Sequence, residues 1–242
     1  MFLSNVVIEV TRKCNMTCEH CLRGEAQKLS ISDLVLNNFF RQIRDSYIDS
    51  ITITGGEPSL ATDRIQAVLR FIRMYHIEVG YFYMVTNAKK VTKEFIQVIL
   101  DMYMQSSEQE SFAVNYSDDQ FHDDLNQANI RKLSAFTFVG PKGGKIHQEA
   151  ILQEGRGSNY GWREVTLYPY DIDEDQIREG LFYLNCKGDI LPDCNLSYDS
   201  QDDEGLILCN VNSSFNLFKC AEEFNKKLKT HDRTTVSQLK VA

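Results

Sequence analysis

The chain has 242 residues, and its 34 acidic side chains against 26 basic ones give a formal net charge of −8. A composition of 43% hydrophobic and 25% charged residues is typical of globular proteins and excludes a largely disordered chain. The acidic balance disfavours a nucleic-acid partner, and no apolar run approaches the roughly 20 residues of a membrane helix. The start of the chain lacks the pattern of a secretion signal, so we expect a cytoplasmic protein without a membrane partner.

Strand and helix patterns alternate along the first 170 residues. A β-branched, apolar run predicts a first strand over residues 2–10. Helical spacing from Leu34, with Ser30 or Ser32 as the N-cap, predicts the first helix. The further strands are predicted over 50–54, 78–85, 111–116, 135–139 and 164–170, with helices opening at Thr62 and Thr92 and weaker helices at about 119–134 and 145–153.

This alternation predicts an α/β fold in which a parallel sheet is covered by helices, a partial (β/α)6 TIM-type barrel. The alternation stops near residue 171. We therefore divide the chain into a core barrel, residues 1–170, and a small C-terminal α+β extension, residues 171–242. The extension is predicted to contain a hairpin with its turn at Gly188, a loop over 197–204, an amphipathic helix over 215–228 and a frayed tail from Lys229.

Three of the seven cysteines lie close together in the loop that follows the first strand. Their pattern is Cys14-x3-Cys18-x2-Cys21. Structural zinc sites prefer four ligands, often as two C-x2-C pairs, and no second pair lies nearby. Three closely spaced thiolates suit an iron–sulfur cubane, in which the fourth iron stays open for a ligand from outside the protein.

Two other short motifs follow predicted strands. Gly55-Gly56-Glu57-Pro58 comes directly after the second strand, and Thr86-Asn87 ends the third. The carboxyl ends of parallel strands meet at one rim, so these motifs and the cysteine loop are expected to converge. Glycines allow the backbone to approach a ligand closely, and a glutamate can accept a hydrogen bond from a ligand ammonium group.

The cysteine motif and the Gly-Gly-Glu motif together resemble the radical S-adenosylmethionine (SAM) superfamily. Cys14-Asn-Met-Thr-Cys18-Glu-His-Cys21 has the family's cysteine pattern, with His20 where an aromatic residue is usual, and Thr54-Gly-Gly-Glu-Pro58 matches its GGE motif. The resemblance implies a [4Fe-4S] cluster held by Cys14, Cys18 and Cys21, with SAM on the fourth iron. It implies reductive cleavage of SAM to a 5′-deoxyadenosyl radical, which abstracts hydrogen from a substrate.

The resemblance also implies a set of SAM-binding residues. Backbone groups of the GGE motif would hold the methionine amine, the backbone of His20 would meet the adenine, and Arg156 would pair with the carboxylate. Asp118, Asp119 and His122, which follow the fourth strand, are expected in a solvated loop, with a position facing the substrate as the alternative. Thr86 and Asn87 would close the adenosine side, and Asn115 or Ser117 would contact the ribose. The predicted SAM-binding residues are therefore His20, Gly55, Gly56, Glu57, Thr86, Asn87, Asn115, Ser117 and Arg156.

The segment from Gly188 to Cys194 resembles the start of a SPASM or twitch extension, which can bind an auxiliary cluster. Cys186, Cys194, Cys209 and Cys220 would be its ligands. Their spacing departs from the full SPASM pattern, and Cys209 and Cys220 lie among apolar residues, where free cysteines behave as small hydrophobic residues. We therefore favour an extension without a cluster.

The substrate is not evident from the sequence. Because SPASM-like relatives often modify peptides or proteins, a peptide or protein is the favoured substrate, and a small metabolite remains an alternative. The resemblance implies a reductant such as flavodoxin or ferredoxin. A second hypothesis is an iron–sulfur or zinc-binding regulatory protein without turnover; a thiol-exchange protein is disfavoured because the alternation is not that of a thioredoxin fold.

Overall fold

The computed structural model describes residues 1–122, 125–228 and 234–240. Short 3-10 helices lie at Pro58–Leu60, Gln148–Ala150 and Gly155–Asn159. The strands are β1 Phe2–Thr11, β2 Tyr47–Gly55, β3 Glu78–Thr86, β4 Ala113–Asp119, β5 Val139–Gly144, β6 Thr166–Leu167, β7 Asp171–Asp173, β8 Gln176–Leu184, β9 Asp189–Leu191, β10 Cys209–Asn210 and β11 Thr234–Thr235. The α-helices are α1 Asp33–Gln42, α2 Thr62–Met74, α3 Lys93–Gln105, α4 Gln127–Leu133, α5 Tyr198–Gln201, α6 Leu217–Lys227 and α7 Val236–Lys240.

The main sheet confirms the predicted fold class. Six neighbouring strands run parallel in the order β8-β1-β2-β3-β4-β5, and α1, α2 and α3 connect β1 to β4 in turn. Each of these helices buries one apolar face. The result is a partial (β/α)6 barrel of TIM type, whose strands all end at the same rim.

Local signals placed the early helices accurately. Ser32 caps α1 by accepting from the Val35 amide, and Thr92 caps α3 by accepting from the Phe95 amide, as expected of N-cap hydroxyls. Thr62, at which the second helix is predicted to open, differs from these two residues, because it is the first residue of α2 and Ala61 occupies the N-cap position.

The predicted sixth strand, 164–170, is wrong. Only Thr166–Leu167 is a strand there, and it pairs antiparallel with β11 outside the main sheet. The backbone N–H and C=O of Tyr170 are both bonded to the side chain of Asn225 on α6, which removes them from any strand pairing. β8, from the extension, supplies the sixth parallel strand instead and lies beside β1.

The fifth strand also begins later than predicted. Residues 135–138 form turns, in which the amides of Phe136 and Val139 bond to the carbonyls of Leu133 and Phe136. Phe138 packs against Tyr103, so its apolar character reflects packing rather than a strand. The predicted helices around them shorten to α4 and to the 3-10 turn Gln148–Ala150.

The extension joins the main sheet rather than forming a separate layer. β9 and β10 continue it in antiparallel fashion from β8, and Gly188 at φ +91° forms the turn of the predicted hairpin. The predicted loop 197–204 contains α5, which Ser197 caps. Part of the predicted frayed tail is ordered in β11 and α7, while residues 229–233 and 241–242 lie outside the described residues. No described helix has the length and apolarity to cross a membrane.

Candidate active site

A cavity of about 280 Å³ opens at the carboxyl ends of the parallel strands. The loop after β1, the ends of β2 and β3 and the end of β4 all contribute to its wall, so the predicted convergence at one rim is confirmed. The lining residues are Cys14, Met16, Cys18, His20, Cys21, Leu22, Arg23, Thr54, Gly55, Gly56, Glu57, Pro58, Val85, Thr86, Asn87, Ser117 and His122.

The three clustered cysteines all face this cavity as free thiols. Their sulfur atoms are not all within 4.8 Å of one another, since among the described residues only His20, Asp119 and His122 form such a group of three. Three ligands of one zinc ion would place their sulfurs about 4 Å apart. The three cysteines therefore do not form the compact ligand set of a single zinc ion, whereas in a multi-iron cluster each thiolate binds a different iron.

Burial keeps the thiols of Cys14 and Cys18 protonated in the absence of a metal. It raises the pKa of Cys14, and it raises the pKa of Cys18 to about 11, with the neighbouring Cys21 and Cys14 adding to the effect. Metal ligation requires thiolates, so loading of the site releases protons.

The two motif glycines are required by close backbone packing. A Cβ on Gly55 would lie 2.2 Å from the Thr11 carbonyl oxygen, and one on Gly56 would lie 2.4 Å from that of Lys13. The amides of Gly56 and Glu57 donate to these same carbonyls, each at 2.8 Å. The motif therefore fixes the start of the cysteine loop. Because these amides are already bonded, the groups that remain for a ligand ammonium are the motif's acceptor oxygens.

The Glu57 carboxylate joins the ends of β2 and β3. It is buried and accepts from the Ser59 amide at 3.0 Å, the Thr86 hydroxyl at 2.6 Å and the Asn87 amide at 2.8 Å. The Asn87 side chain in turn donates to Asn15 in the cysteine loop at 2.8 Å. One carboxylate thus holds Thr86 and Asn87, both predicted site residues, in the cavity wall.

Comparison with known families identifies the family to which this chain belongs. The family model "Radical SAM superfamily" matches residues 8–132, slightly more than half of the chain. The chain belongs to the radical SAM superfamily. Its cofactors are therefore a [4Fe-4S] cluster and SAM, and it is an enzyme.

Solved structures show the same fold for this radical SAM enzyme at low sequence identity. Native anSMEcpe with bound AdoMet and Kp18Cys peptide matches with a TM-score of 0.61 and 13% identity, covering 93% of this chain and 83% of that one. SuiB of Streptococcus suis, bound to S-adenosylmethionine, matches with a TM-score of 0.51 and 13% identity, covering 95% and 68%. BtrN in an open conformation has a TM-score of 0.52 at 12% identity, covering 95% and 87%. A search of curated proteins found no match.

The residues of the cavity fit both cofactors. Three thiols line it, the number that a cubane with one open iron requires, and the tight glycine packing leaves acceptor oxygens at its edge. His20 also lies in the wall, and its Nδ1 is buried with no hydrogen-bond partner among the described residues. Burial lowers the pKa of His20, which favours the neutral ring.

The two residues predicted at the ribose occupy different surroundings. Ser117 lines the cavity, whereas Asn115 does not and donates to the Gly140 carbonyl at 3.2 Å. Both lie on the same face of β4, but Ser117 is nearer to the strand's carboxyl end. The geometry favours Ser117 for the ribose contact.

Arg156 lies outside the cavity lining. Its Nε donates to the Cys18 carbonyl at 2.9 Å, its Nη1 pairs with Glu25 at 3.0 Å, and its backbone amide donates to the Cys21 carbonyl. The structure thus shows a residue that secures the cysteine loop from outside. The expected contact with the SAM carboxylate stays a prediction.

Asp119 and His122 were expected in a solvated loop, and this expectation is wrong. Their side chains are only 6% and 11% exposed, and His122 lines the cavity. His122 Nδ1 lies 2.8 Å from an Asp119 carboxylate oxygen, and its Nε2 lies 3.7 Å from the Cys18 sulfur. Phe121 between them stacks on His20 at 4.3 Å, so the loop after β4 contacts the cysteine loop at two points.

A buried charged network behind the cysteine loop was not predicted. Glu9 and Arg12 are fully buried and form an ion pair at 2.8 Å. Arg12 also donates to Gln27 and Gln201, and Glu9 accepts from the Tyr183 hydroxyl at 2.6 Å. Although burial opposes it, the charges of Arg12 and Arg23 and these hydrogen bonds hold the pKa of Glu9 below its ordinary value. Glu9 and Arg12 are close in the chain, but the residues that bury and complete the pair, Tyr183 and Gln201, are distant, so no local pattern reveals the network.

The late cysteines do not share one environment. The Cys186 thiol donates to the Glu9 carbonyl at 3.2 Å inside the core, while Cys209 and Cys220 hydrogen-bond each other between β10 and α6. This separation favours the extension without a cluster.

The close packing of Gly56 leads to a direct prediction. Gly56→Ala is expected to displace the cysteine loop, because the new Cβ meets backbone atoms of Lys13 that cannot rotate away. Overpacking of this kind costs about 1–3 kcal/mol, so we expect SAM affinity to fall about tenfold or more in equilibrium dialysis of the reconstituted protein. The matched control is Gly140→Ala, whose Cβ would lie an ordinary 3.7 Å from its nearest neighbour, Asn115 Nδ2. Equal affinities in the two variants would contradict this explanation.

Proposed function

We propose that this radical SAM enzyme holds its [4Fe-4S] cluster with Cys14, Cys18 and Cys21 and binds SAM in the adjoining cavity. The observation that carries the proposal is the convergence of the three cysteines and the Gly-Gly-Glu segment on one cavity at the carboxyl rim. When bound, the reduced cluster supplies the electron that cleaves SAM to methionine and a 5′-deoxyadenosyl radical, which abstracts hydrogen from the substrate.

The chain's own residues would position SAM within this cavity. Acceptor oxygens of Gly55, Gly56 and Glu57 suit the methionine ammonium group, because the motif's amides are already engaged. His20, Thr86 and Asn87 would lie on the adenosine side and Ser117 at the ribose. The buried carboxylate of Glu57 keeps Thr86 and Asn87 in place, so its role there is orientation.

We further infer that the substrate is a peptide or protein. The support is similarity of fold: anSMEcpe was solved with a peptide, and SuiB with its precursor peptide SuiA, the latter at a TM-score of 0.50. A small-metabolite substrate is the alternative. A regulatory protein without turnover is disfavoured, because a purely structural cluster needs no Gly-Gly-Glu segment in a cavity beside it.

Anaerobic reconstitution tests the first part of the proposal. The protein is loaded with iron and sulfide, reduced, mixed with SAM and assayed for iron, sulfide and 5′-deoxyadenosine. We expect turnover to 5′-deoxyadenosine with about four irons per chain, as one cubane requires. About eight irons would support an auxiliary cluster at Cys186, Cys194, Cys209 and Cys220. A stable cluster without SAM cleavage would favour the regulatory protein.

Deuterium transfer tests the substrate class. Extracts of cells grown in heavy water are separated into peptide-sized and metabolite-sized fractions and added to the reduced enzyme with SAM. We expect 5′-deoxyadenosine that is one mass unit heavier from the peptide fraction, since the radical takes its hydrogen from the substrate. Deuterium arriving only from the metabolite fraction would exclude the peptide.

A further inference from the structure

Arg23 places a buried cation in the wall of the cavity, two residues after the last cysteine of the cluster loop. The residue is 9% exposed and lines the cavity. Its Nη1 donates to the Leu196 carbonyl at 2.6 Å, and its guanidinium lies over the Tyr183 ring at 4.8 Å. Leu196 and Tyr183 belong to the extension, which thus orients this side chain.

The carboxylates near Arg23 are already engaged elsewhere. Glu9 accepts from Arg12, from the Tyr183 hydroxyl and from the Cys186 amide. Asp193 accepts from the Asn195 amide. Among the described residues, no carboxylate forms an ion pair with Arg23 within 4.0 Å. Glu9 forms its ion pair with Arg12, so Arg23 is left without a carboxylate at ion-pair distance within the described ranges.

Arg23 has hydrogen-bond donors to spare beside the cavity. A buried charge without a partner is costly, and a guanidinium has five N–H donors, of which the Leu196 carbonyl takes one. In the described part of the chain, the side-chain atoms sealed from solvent without a partner are His20 Nδ1, Ser59 Oγ and Tyr198 Oη. No nitrogen of Arg23 is among them, and Arg23 lines the cavity, so its remaining donors are available to a ligand bound there.

We propose that Arg23 binds a carboxylate in this cavity. The planar fork of a guanidinium matches a carboxylate with two parallel hydrogen bonds, and the water-poor setting strengthens them. Two molecules could supply the carboxylate: the methionine moiety of SAM, or the substrate. The inference rests on the proposed function, and it assigns the anion contact to Arg23, which lines the cavity, rather than to Arg156, which lies outside the lining and binds Cys18 and Glu25.

Decarboxylated SAM distinguishes the two sources. Wild type, Arg23→Met and Arg23→Lys are reconstituted with iron and sulfide, checked for equal iron content and melting temperature, and titrated anaerobically with SAM and with decarboxylated SAM. If the SAM carboxylate is the ligand, Arg23→Met weakens SAM binding about 10- to 100-fold and leaves decarboxylated SAM unchanged. Arg23→Lys keeps the charge but loses the fork, so its loss is intermediate. If Arg23→Met does not hold a cluster, Arg23→Lys replaces it in the titrations.

A second arm tests the substrate carboxylate. SAM-loaded protein is titrated with N-acetylglycine and with its uncharged amide, using ligand NMR. If Arg23 binds the substrate, wild type prefers the acid, the preference disappears in Arg23→Met, and SAM affinity stays unchanged.

Two results would overturn the inference: equal losses of SAM and decarboxylated SAM, which indicate a structural role, or no selective loss in either arm. Failure of wild type to bind SAM would instead overturn the proposed function itself.

Discussion

Cys18→Ala is expected to abolish iron binding and SAM cleavage together. Cys18 faces the cavity, and a cubane held by three thiolates cannot lose one and remain stable. We expect iron content and the visible absorbance of the cluster to fall to background, and 5′-deoxyadenosine to become undetectable. Both are measured after anaerobic reconstitution. Cys14→Ala and Cys21→Ala should behave in the same way.

Cys209→Ser is the matched control for these variants. Cys209 hydrogen-bonds Cys220 in the extension, away from the cavity lining, so its replacement should keep about four irons and full SAM cleavage. If Cys209→Ser also lost half of the iron, the extension would carry a second cluster. If Cys18→Ala retained its iron, the ligand assignment would be wrong.

Glu9→Gln is expected to be among the most destabilising single substitutions in the chain. The change leaves Arg12 fully buried without its anion, and breaking one partner of such a pair costs about 3–5 kcal/mol. The free energy of unfolding in urea is the measurement. Asp33→Asn is the matched control, since Asp33 forms exposed ion pairs with Arg64 and Arg70 that are worth about 1 kcal/mol or less. Comparable losses in the two variants would contradict the role given to burial.

The stability contributed by Glu9 is expected to depend on pH. The pKa of Glu9 is lower in the folded protein than its ordinary value of 4.5, so its ionised form stabilises the fold. This contribution is complete above about pH 4.5 and disappears as the pH falls through the lowered pKa. The difference in stability between wild type and Glu9→Gln should therefore be constant near neutrality and shrink on acidification below 4.5.

Sequence patterns predicted the features that depend on neighbours in the chain. Capping by Ser32 and Thr92 is local, and the cysteine loop and Gly-Gly-Glu segment converge because parallel strands end at one rim. Partners distant in the chain were beyond such patterns. Arg23 is held by the carbonyl of Leu196, 173 residues later in the chain. The strand predicted over residues 164–170 does not form, because Asn225 binds the backbone of Tyr170. For the same reason, the sequence indicated Arg156 and not Arg23 as the residue that pairs with the SAM carboxylate.

The position of β8 beside β1 has a consequence for how the chain is synthesised. One edge of β1 is covered once β2, ending at Gly55, has emerged from the ribosome, but the other edge must wait for Gln176–Leu184. During that interval the nascent barrel carries an open strand edge, which is a template for mispairing with other chains. Non-local pairing of this kind also slows folding. A nascent chain stalled before β8 would therefore be a natural client for a chaperone that shields apolar strand edges.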